Sequence, residues 1–339
     1  MPALERRPGR VIVDDRWSGA HGIGRYATEV LSRLSLAAEP LAVAGKPMSM
    51  SGVLSRKRLA LSPQDVLYSP GFNLSITRAR QVITMHDLIH LHHSSRISPL
   101  RALYFRFLLP MVVKRSGVVL TVSQASANEM REWVGSANVE IVITGCGRSA
   151  AFTREGARRS FTRPTFVFVS GIRPHKNLAT LLDACVLRPE YDLVIVTPDT
   201  ARAASLIRER GLEERVSVES GVTDEELAAL YRGSVGTVVP SLVEGFGLPA
   251  LEAMSCGTRV AHWKECESVA EICDSTSVVV ADATRGSSWA NALDHLVELG
   301  PLAPSELSHD WWEKYSWDRV AAIVNETLLR VLATNSVSV

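Results

Sequence analysis

Residues 240–257 read PSLVEGFGLPALEAMSCG and place a glycine-rich turn between the end of an apolar run and the start of a helix. The apolar run, residues 235–240, has the pattern of a short buried strand, and Pro249 fits the first position of a helix. Two carboxylates, Glu244 and Glu252, flank the turn. A strand, a tight turn and a helix in this order predict an α/β unit whose turn carries function.

Glycines in this turn would let the backbone approach a ligand closely, because glycine has no Cβ. The backbone N–H groups at the helix start would point along the helix dipole at a phosphate or sugar oxygen, and carboxylates accept hydrogen bonds from sugar hydroxyls. The turn residues that this geometry assigns to a ligand are Gly245, Phe246, Gly247 and Leu248. The pattern favours an anionic ligand rich in hydroxyl groups, with ordinary helix capping as the alternative for Glu252.

The chain of 339 residues has room for two domains that each bury a core. Its hydrophobic content of 46%, charged content of 22% and net charge of +1 predict a folded protein with no nucleic acid partner. The five cysteines are odd in number and show no CxxC spacing, so we expect reduced thiols in the cytoplasm and no zinc site. The sequence predicts neither a signal peptide nor a membrane span.

Short β-type runs alternate with amphipathic helical patterns along the chain, which predicts parallel sheets in two successive α/β units. The predicted strands are 10–13, 66–68, 81–85, 118–122 and 139–144, then 165–170, 193–197, 216–218, 237–240, 258–262 and 277–280. Residues 153–164 lack an apolar face and are rich in arginine, so we predict that they link the two domains. An apolar stripe over residues 316–332 predicts a long packed helix.

A second candidate site lies in residues 169–178, VSGIRPHKNL, where a strand ends in a loop with two cations. Arg173 and Lys176 could clamp a diphosphate, since fixed cations beside a leaving diphosphate stabilise the transition state more than the ground state. Surface charges that merely flank a strand are the alternative. No Asp-x-Asp pair occurs in the chain, so we predict no metal site and assign charge neutralisation to the cations and the helix start.

Two segments of the first half offer weaker candidates. Residues 81–93, QVITMHDLIHLHH, place His86 at the carboxyl end of a strand, where open α/β sheets bind ligands. The histidines that follow lack the spacing of a zinc site, which disfavours a metal. Residues 18–26, SGAHGIGRY, form a glycine-rich turn before the first helix and by themselves indicate only a tight loop.

Residues 101–115, RALYFRFLLPMVVKR, interleave apolar and cationic side chains. This pattern suits an amphipathic helix that lies on a membrane surface. A helix that covers the first sheet needs the same apolar face, with a kink at Pro110, and is the alternative.

These motifs, in their order along the chain, resemble the retaining family-4 glycosyltransferases, whose E-x7-E signature matches Glu244 and Glu252. The resemblance implies the GT-B fold, an α/β architecture in which two Rossmann-like domains with parallel sheets face a cleft and the last helix crosses back to the first domain. It also implies an acceptor-binding domain over residues 1–155 with helix 318–339, and a nucleotide-sugar-binding domain over residues 156–317.

The resemblance assigns roles to the candidate residues. It implies that Glu244 contacts the donor sugar, that Glu252 holds the ribose hydroxyls and that His86 lies near the donor sugar. It implies that Arg173 and Lys176 bind the diphosphate. The remaining implied contacts are Thr197 and Val222 beside the nucleotide base, Gly22 and Gly24 on the donor or acceptor side of the cleft, and Arg25 as an acceptor contact.

The resemblance predicts a glycosyltransferase that moves a hexose from a nucleoside-diphosphate sugar to a hydroxyl of a glycan or lipid-linked acceptor, with retention and without metal or cofactor. GDP-mannose is the favoured donor because the EGFGLP and RPHKN variants look most like mannosyltransferases of polysaccharide assembly. The alternatives are a UDP-sugar-dependent transferase, a non-hydrolysing sugar-nucleotide epimerase, a non-catalytic nucleotide-sugar-binding protein and a purely structural α/β protein. We expect a cytoplasmic location, with peripheral contact at the inner membrane leaflet if the acceptor is lipid-linked.

Overall fold

The computed structural model describes residues 8–17, 19, 22–41, 61–92 and 102–337. The chain divides into two compact units. Unit 1 comprises Met1–Gly147 and Lys314–Val339, and unit 2 comprises Arg148–Glu313. The boundary between residues 155 and 156 that the sequence analysis favoured lies inside unit 2. The acceptor and donor roles of the two domains stay predictions.

Unit 1 is built on a six-stranded parallel sheet with the strand order β2-β1-β3-β4-β5-β6. Its strands are β1 (Val11–Val13), β2 (Ala38–Pro40), β3 (Val66–Ser69), β4 (Arg80–Met85), β5 (Val118–Thr121) and β6 (Glu140–Ile143). The first described helices are α1 (Gly22–Leu31), α2 (Ile89–His92), α3 (Leu109–Ser116) and α4 (Gln124–Val134), with a π turn over Tyr104–Leu108 directly before α3. Parallel neighbours require crossover connections, which these helices provide.

Unit 2 repeats the arrangement, with the strand order β12-β11-β10-β7-β8-β9 and parallel pairing throughout. Its strands are β7 (Thr165–Val169), β8 (Asp192–Val196), β9 (Val216–Glu219), β10 (Gly236–Val239), β11 (Val260–Trp263) and β12 (Val278–Val280). Its helices are α5 (Leu178–Leu187), α6 (Thr200–Arg208), α7 (Asp224–Gly233), α8 (Leu248–Ser255), α9 (Glu267–Cys273), α10 (Gly286–Leu299) and α11 (His309–Lys314), the last of which ends at the unit boundary. Short 3-10 turns occupy Pro174–Lys176, Asp274–Thr276 and Pro304–Glu306.

The structure contains every strand that the sequence pattern predicted, and it adds β2. This strand reads Ala-Glu-Pro, and its glutamate and proline are exposed. It therefore has no apolar run from which the sequence could predict it. Among the described strands it pairs with β1 alone, at the edge of the sheet. An edge strand tolerates proline because the missing N–H faces solvent.

The last helix, α12 (Trp317–Val337), belongs to unit 1, as the resemblance to GT-B proteins implied. It packs against α1 and β3. A close approach fixes its start, because a Cβ placed on Gly147 would meet the backbone nitrogen of Trp317 and lie 2.6 Å from Cγ of that ring. Only glycine fits this contact without a shift of the helix.

The arginine-rich stretch that was predicted to be a linker is bonded to unit 2. Arg154 donates from Nη1 to the carbonyl of Leu302 at 2.6 Å. In the opposite direction, Arg232 donates from Nε to the carbonyl of Ala157 at 2.7 Å and from Nη1 to that of Thr153 at 3.0 Å. Because these bonds hold its backbone, the stretch is part of unit 2 rather than a free linker.

His262 lies on β11 and is buried. Its Nδ1 is 2.8 Å from the Trp263 carbonyl, which can only accept, so Nδ1 carries the proton. Its Nε2 is 3.1 Å from Ser277 Oγ and accepts from that hydroxyl in the neutral ring. Burial lowers the pKa of His262.

We predict that Gly147→Ala lowers the free energy of unfolding by about 1–3 kcal/mol, because the added methyl group overpacks the start of α12. Urea unfolding followed by tryptophan fluorescence measures the loss. Gly236→Ala is the matched control, since the atoms nearest to its Cβ belong to the flexible side chain of Leu296, at 2.8 Å, and the cost should be smaller. Equal losses in the two variants would contradict this account of Gly147.

We also predict that the free energy of unfolding falls as the pH drops below about 6.5, the usual pKa of histidine. Below that pH the unfolded chain binds a proton that the folded His262 does not, and the dependence levels off below the folded pKa. Urea unfolding at a series of pH values tests this, with His262→Gln expected to show a smaller slope. Identical slopes in the two proteins would show that His262 does not contribute.

Candidate active site

The loop after β7, which we call the cation loop, carries Arg173 and Lys176, the two cations that the sequence analysis singled out. Pro174–Lys176 forms a 3-10 turn, and Asn177 takes the left-handed conformation, with φ of 54°, before α5 begins. The Asn177 side chain stabilises the turn, since Nδ2 donates to the carbonyl of Ala283 at 2.8 Å and Oδ1 accepts from Thr180 Oγ1 at 2.6 Å. The fold thus fixes the backbone from which Lys176 projects.

Lys176 and Glu244 form a two-point ion pair. The ammonium Nζ lies 2.6 Å from Oε1 and 2.7 Å from Oε2 of the carboxylate. Ser241 adds a hydrogen bond from Oγ to Oε1 at 2.7 Å. The two side chains are only 17% and 13% exposed, so solvent screens their attraction less than it would at the surface. The structure therefore brings together two motifs that lie far apart in the sequence.

The backbone around Glu244 is fixed as well as its side chain. Ser268 donates from Oγ to the Glu244 carbonyl at 2.9 Å. The Leu242 N–H donates to the His175 carbonyl at 2.7 Å, which ties the turn after β10 to the loop after β7. The sequence analysis identified neither Ser241 nor Ser268, although Ser241 directly follows the end of a predicted strand.

The turn that follows Glu244 requires glycine. Gly247 has φ of 109°, and a Cβ there would lie 2.8 Å from Cγ2 of Val269. α8 begins at the next residue, Leu248, with Pro249 in its first turn. Pro249 has no N–H, and the Ala250 and Leu251 N–H groups donate to the Gly247 carbonyl at 2.9 Å and 3.3 Å, which leaves the Leu248 N–H at the helix start to face an anion. The turn itself comprises Gly245, Phe246 and Gly247, of which Phe246 is buried.

Glu252 lies beyond the first turn of α8, which contains no acidic residue. The capping alternative for Glu252 is therefore wrong. Its side chain is buried, and Tyr231 donates from its hydroxyl to Oε2 at 3.4 Å. Glu252 is therefore a buried, hydrogen-bonded carboxylate one helical turn beyond the start of α8.

Arg173, at the start of the cation loop, is exposed to solvent. The N–H of the preceding residue, Ile172, donates to Oδ2 of Asp199 at 2.7 Å, and the Asp199 N–H donates to Thr197 Oγ1 at 3.2 Å. The loops after β7 and β8 are thereby joined. Thr197 is buried, and Val222 lies half-buried just before α7.

His86 follows β4 in unit 1 and is buried. Its Nε2 lies 2.9 Å from the Pro70 carbonyl and therefore carries a proton. The ring packs edge-on against Tyr26, with 4.9 Å between ring centroids, and Ser126 donates from Oγ to the His86 carbonyl at 3.1 Å. These contacts hold the imidazole in one orientation.

The glycine-rich motif before the first helix differs from its prediction as a loop. α1 begins at Gly22, so Gly24 and Arg25 lie in its first turn. Gly24 is buried. Outside the described residues lie Ser18, Ala20 and His21.

The histidines after β4 give no metal site within the part of the chain that the structure describes. Among those residues, no group of three or more His, Cys, Asp and Glu side chains could hold a metal ion. His93, one of the histidines that follow β4 in the sequence, lies outside the described residues.

One polar cluster of unit 1 was missed by the sequence analysis. Asp14 follows β1, and its carboxylate accepts from Arg16 Nε at 2.7 Å and from Arg16 Nη2 at 2.5 Å. Asn73 donates from Nδ2 to the same carboxylate at 3.0 Å. The charged side chains are almost fully buried, at 3% and 7% exposure. The only sequence signal was an acidic pair and an arginine directly after a strand.

Comparison with known proteins identifies relatives of the chain. Residues 152–314 match the family model described as Glycosyl transferases group 1. The chain is 29% identical over 254 residues to the O-antigen chain mannosyltransferase RfbU of Salmonella typhimurium, covering 73% of this chain and 69% of that protein. It is 35% identical over 156 residues to the MMP alpha-(1->4)-mannosyltransferase of Mycolicibacterium hassiacum, covering 44% of this chain and 37% of that protein. The second alignment thus spans well under half of that relative.

Solved structures share the fold. A sucrose-phosphate synthase of Thermosynechococcus elongatus superposes with a TM-score of 0.72 at 18% identity, covering 97% of this chain and 100% of that chain. HepE of Anabaena, solved in complex with UDP-glucose, superposes with a TM-score of 0.64 at 15% identity, covering 96% of this chain and 98% of that chain. The predicted GT-B fold and the resemblance to glycosyltransferases are both confirmed.

We predict that Ser241→Ala lowers the free energy of unfolding of unit 2 by about 1–3 kcal/mol, because a hydrogen bond to a charged, half-buried carboxylate is lost. Ser205→Ala is the matched control, since Ser205 Oγ donates to Glu209 Oε1 at 3.0 Å on the exposed surface. We expect the control to change stability by less than about 0.5 kcal/mol. Chemical unfolding of both variants measures the two losses of unfolding free energy. Equal losses would contradict the prediction that the Ser241 hydrogen bond to Glu244 stabilises the fold more than an exposed one does.

Proposed function

We propose, on the premise that residues 152–314 form a domain of the group 1 glycosyltransferases, that this chain transfers a hexose from a nucleoside-diphosphate sugar to a hydroxyl of a glycan or lipid-linked acceptor. The observation that carries the proposal is the Lys176–Glu244 pair, which lies beside the glycine turn and the start of α8. A cation, a carboxylate and a helix N-terminus together suit a ligand that has both phosphates and hydroxyls.

The cation loop has the charge that the leaving group requires. When the bond between the sugar carbon and the diphosphate oxygen breaks, negative charge builds up on the diphosphate. Lys176 and Arg173 would stabilise that charge, and the Leu248 N–H and the dipole of α8 would add to it. This support grows as the charge develops, so it lowers the barrier rather than merely tightening donor binding.

Glu244 would accept hydrogen bonds from hydroxyls of the donor sugar, and Glu252 would accept them from the ribose. Glu244 directly precedes the turn of Gly245, Phe246 and Gly247, and Glu252 follows it one helical turn into α8. Transfer with retention would proceed by attack on the face from which the diphosphate departs. The acceptor oxygen forms the new bond to the sugar carbon, and its proton passes to the departing phosphate oxygen. In this scheme the protein's cations neutralise the diphosphate, and no metal is required.

GDP-mannose is our proposed donor, and mannose is the sugar that we propose is transferred. Two relatives, RfbU and the MMP mannosyltransferase, are named as mannosyltransferases, which supports the sugar. The base assignment rests on the EGFGLP and RPHKN variants in this sequence. Thr197 and Val222 are the proposed neighbours of the base, His86 of the donor sugar, and Gly22, Gly24 and Arg25 of the acceptor.

We place the activity in the cytoplasm. All five cysteines are buried and form no disulfide. Burial raises the pKa of the thiols of Cys185, Cys256 and Cys266 to about 12, so they stay protonated and unreactive. Unpaired structural thiols suit a reducing compartment.

Ligand-induced thermal stabilisation tests the site. GDP at ~100 times its dissociation constant should add ~2.7 kcal/mol to the free energy of unfolding, and it should do so in EDTA because the cations of the loop replace a metal. UDP and ADP serve as controls. Stabilisation by UDP alone would change the assigned donor to a UDP-sugar. No stabilisation by any of the nucleotides would overturn the proposal.

Turnover of labelled GDP-mannose with Glu244→Gln tests the catalytic role of the carboxylate. The variant keeps the side-chain volume and removes the charge, and we expect kcat to fall by about 100-fold or more while GDP still binds. Glu298→Gln, on the exposed face of α10, is the matched control and should leave kcat unchanged. Full turnover by Glu244→Gln would refute its assigned role.

A further inference from the structure

Arg16 is a nearly buried arginine with one edge of its guanidinium group unoccupied. It follows β1, and its side chain is only 7% exposed. Nε and Nη2 both donate to Asp14, which occupies the side edge of the group. Nη1 forms no hydrogen bond with the residues that the structure describes. Because a buried cationic donor without a partner is costly, Arg16 is a candidate for binding a ligand.

Asp14 holds the guanidinium of Arg16 in one orientation. Its carboxylate accepts from the Arg16 N–H at 3.2 Å as well as from the side chain, and Asn73 donates to Oδ2 at 3.0 Å. Asp14 and Asn73 are 2% and 4% exposed. Together these hydrogen bonds fill the accepting positions of a carboxylate, so Asp14 orients Arg16 and has no position left for a ligand.

The Asp14–Arg16 pair lies at the carboxyl edge of the unit 1 sheet, where open parallel sheets bind ligands. Asp14 follows β1, Asn73 follows β3 and His86 follows β4, and these three strands are neighbours in the sheet. The ring of Phe72, the residue before Asn73, lies 6.2 Å from the ring of His86. Arg16 therefore shares this edge of the sheet with His86, the proposed neighbour of the donor sugar.

The charges around Arg16 favour a neutral ligand. Asp14 neutralises the guanidinium, and Asp15, which is exposed, brings a second carboxylate. The hydrogen bonds and charge of Asp14, with the charge of Asp15, raise the pKa of Arg16. A ligand phosphate or carboxylate would add a further negative charge here, whereas hydroxyl and ring oxygens accept from an N–H without adding one.

We propose that Arg16 binds oxygen atoms of an uncharged sugar in the acceptor, and that Asp14 is its positioning residue. This proposal rests on the proposed function, which requires an acceptor that bears hydroxyl groups. Nη1 would donate to oxygens of that sugar. Trp17, the next residue, is half-buried and packs edge-on against Phe72, with 6.2 Å between ring centroids, and its ring would offer an apolar surface to the sugar's C–H groups.

Saturation-transfer NMR of the full-length protein measures the dissociation constant of methyl α-mannoside without a donor, so the result does not depend on transfer. Methyl α-mannuronide is the charged counterpart, because a carboxylate replaces the C6 hydroxymethyl group. We expect the parent protein to bind the mannoside more tightly than the mannuronide. Arg16→Gln should raise the dissociation constant of the mannoside about tenfold or more, because hydrogen bonds from a charged donor are lost.

Asp14→Asn tests the positioning role by a change in charge preference. The variant keeps the shape of the side chain and leaves the guanidinium without its counter-charge. We expect the ratio of the two dissociation constants to shift towards the mannuronide by about fivefold or more. A residue that served only the fold would weaken the binding of both sugars alike, so an unchanged ratio would refute the positioning role.

Arg330→Gln is the matched control in unit 1. Arg330 also donates from two nitrogens to one carboxylate, that of Glu140, but the two side chains are 49% and 48% exposed. It should leave both dissociation constants unchanged. Circular dichroism checks that each variant folds. If Arg16→Gln does not fold, its combination with Asp14→Asn removes the unpaired buried charge and provides the same measurement.

The outcomes separate this proposal from the proposed function. No binding of the mannoside by the parent protein, equal binding by the Arg16→Gln variant, or tighter binding of the mannuronide by the parent protein would overturn the proposal. Mannoside binding that Arg16→Gln abolishes, in a protein that transfers no sugar from GDP-mannose, would support the binding site and refute the transferase. Transfer to the mannoside that Arg16→Gln leaves intact would refute the role of Arg16 alone.

Discussion

Parallel pairing within each sheet decides where chemistry can lie in this protein. In a parallel sheet all carboxyl ends emerge at one edge, so loops that are distant in sequence become neighbours there. β7 and β10 pair directly, although β8 and β9 come between them in the chain. The loop after β7 therefore meets the turn after β10, and Lys176 reaches Glu244. The strand order, more than either motif alone, therefore brings Lys176 and Glu244 together.

The polar groups around the pair follow from its partial burial. Charges withdrawn from water need fixed partners, and Ser241 and Ser268 supply hydrogen bonds to the side chain and backbone of Glu244. Asp199 plays the corresponding part for the cation loop by holding the Ile172 N–H. The candidate site of unit 2 is therefore a set of loops bonded to one another, and its geometry does not depend on long flexible side chains alone.

The sequence was informative wherever burial leaves a pattern, and silent where backbone atoms make the contact. Apolar runs located nearly all the strands, but β2 has no such run because it is an exposed edge. Arg154 and Arg232 hold the stretch 153–164 through main-chain carbonyls, a contact that leaves no partner motif to find. Asp14 and Arg16 could be read as residues of a charged loop, and only the structure shows that they are buried together. The motif at Glu244 could be predicted because its glycines and carboxylates lie together in one short stretch of sequence.

The Lys176–Glu244 pair bears on the end of a catalytic cycle under the proposed transferase activity. The ammonium of Lys176 is neutralised by a carboxylate of the same unit. A diphosphate that bound Lys176 would have to displace this tethered competitor, whose effective concentration is high because the fold fixes both groups. Once the diphosphate left, Glu244 would return, and no unpaired ammonium would be left in a half-buried position. The pair would thus lower the affinity for the spent nucleotide and ease its release.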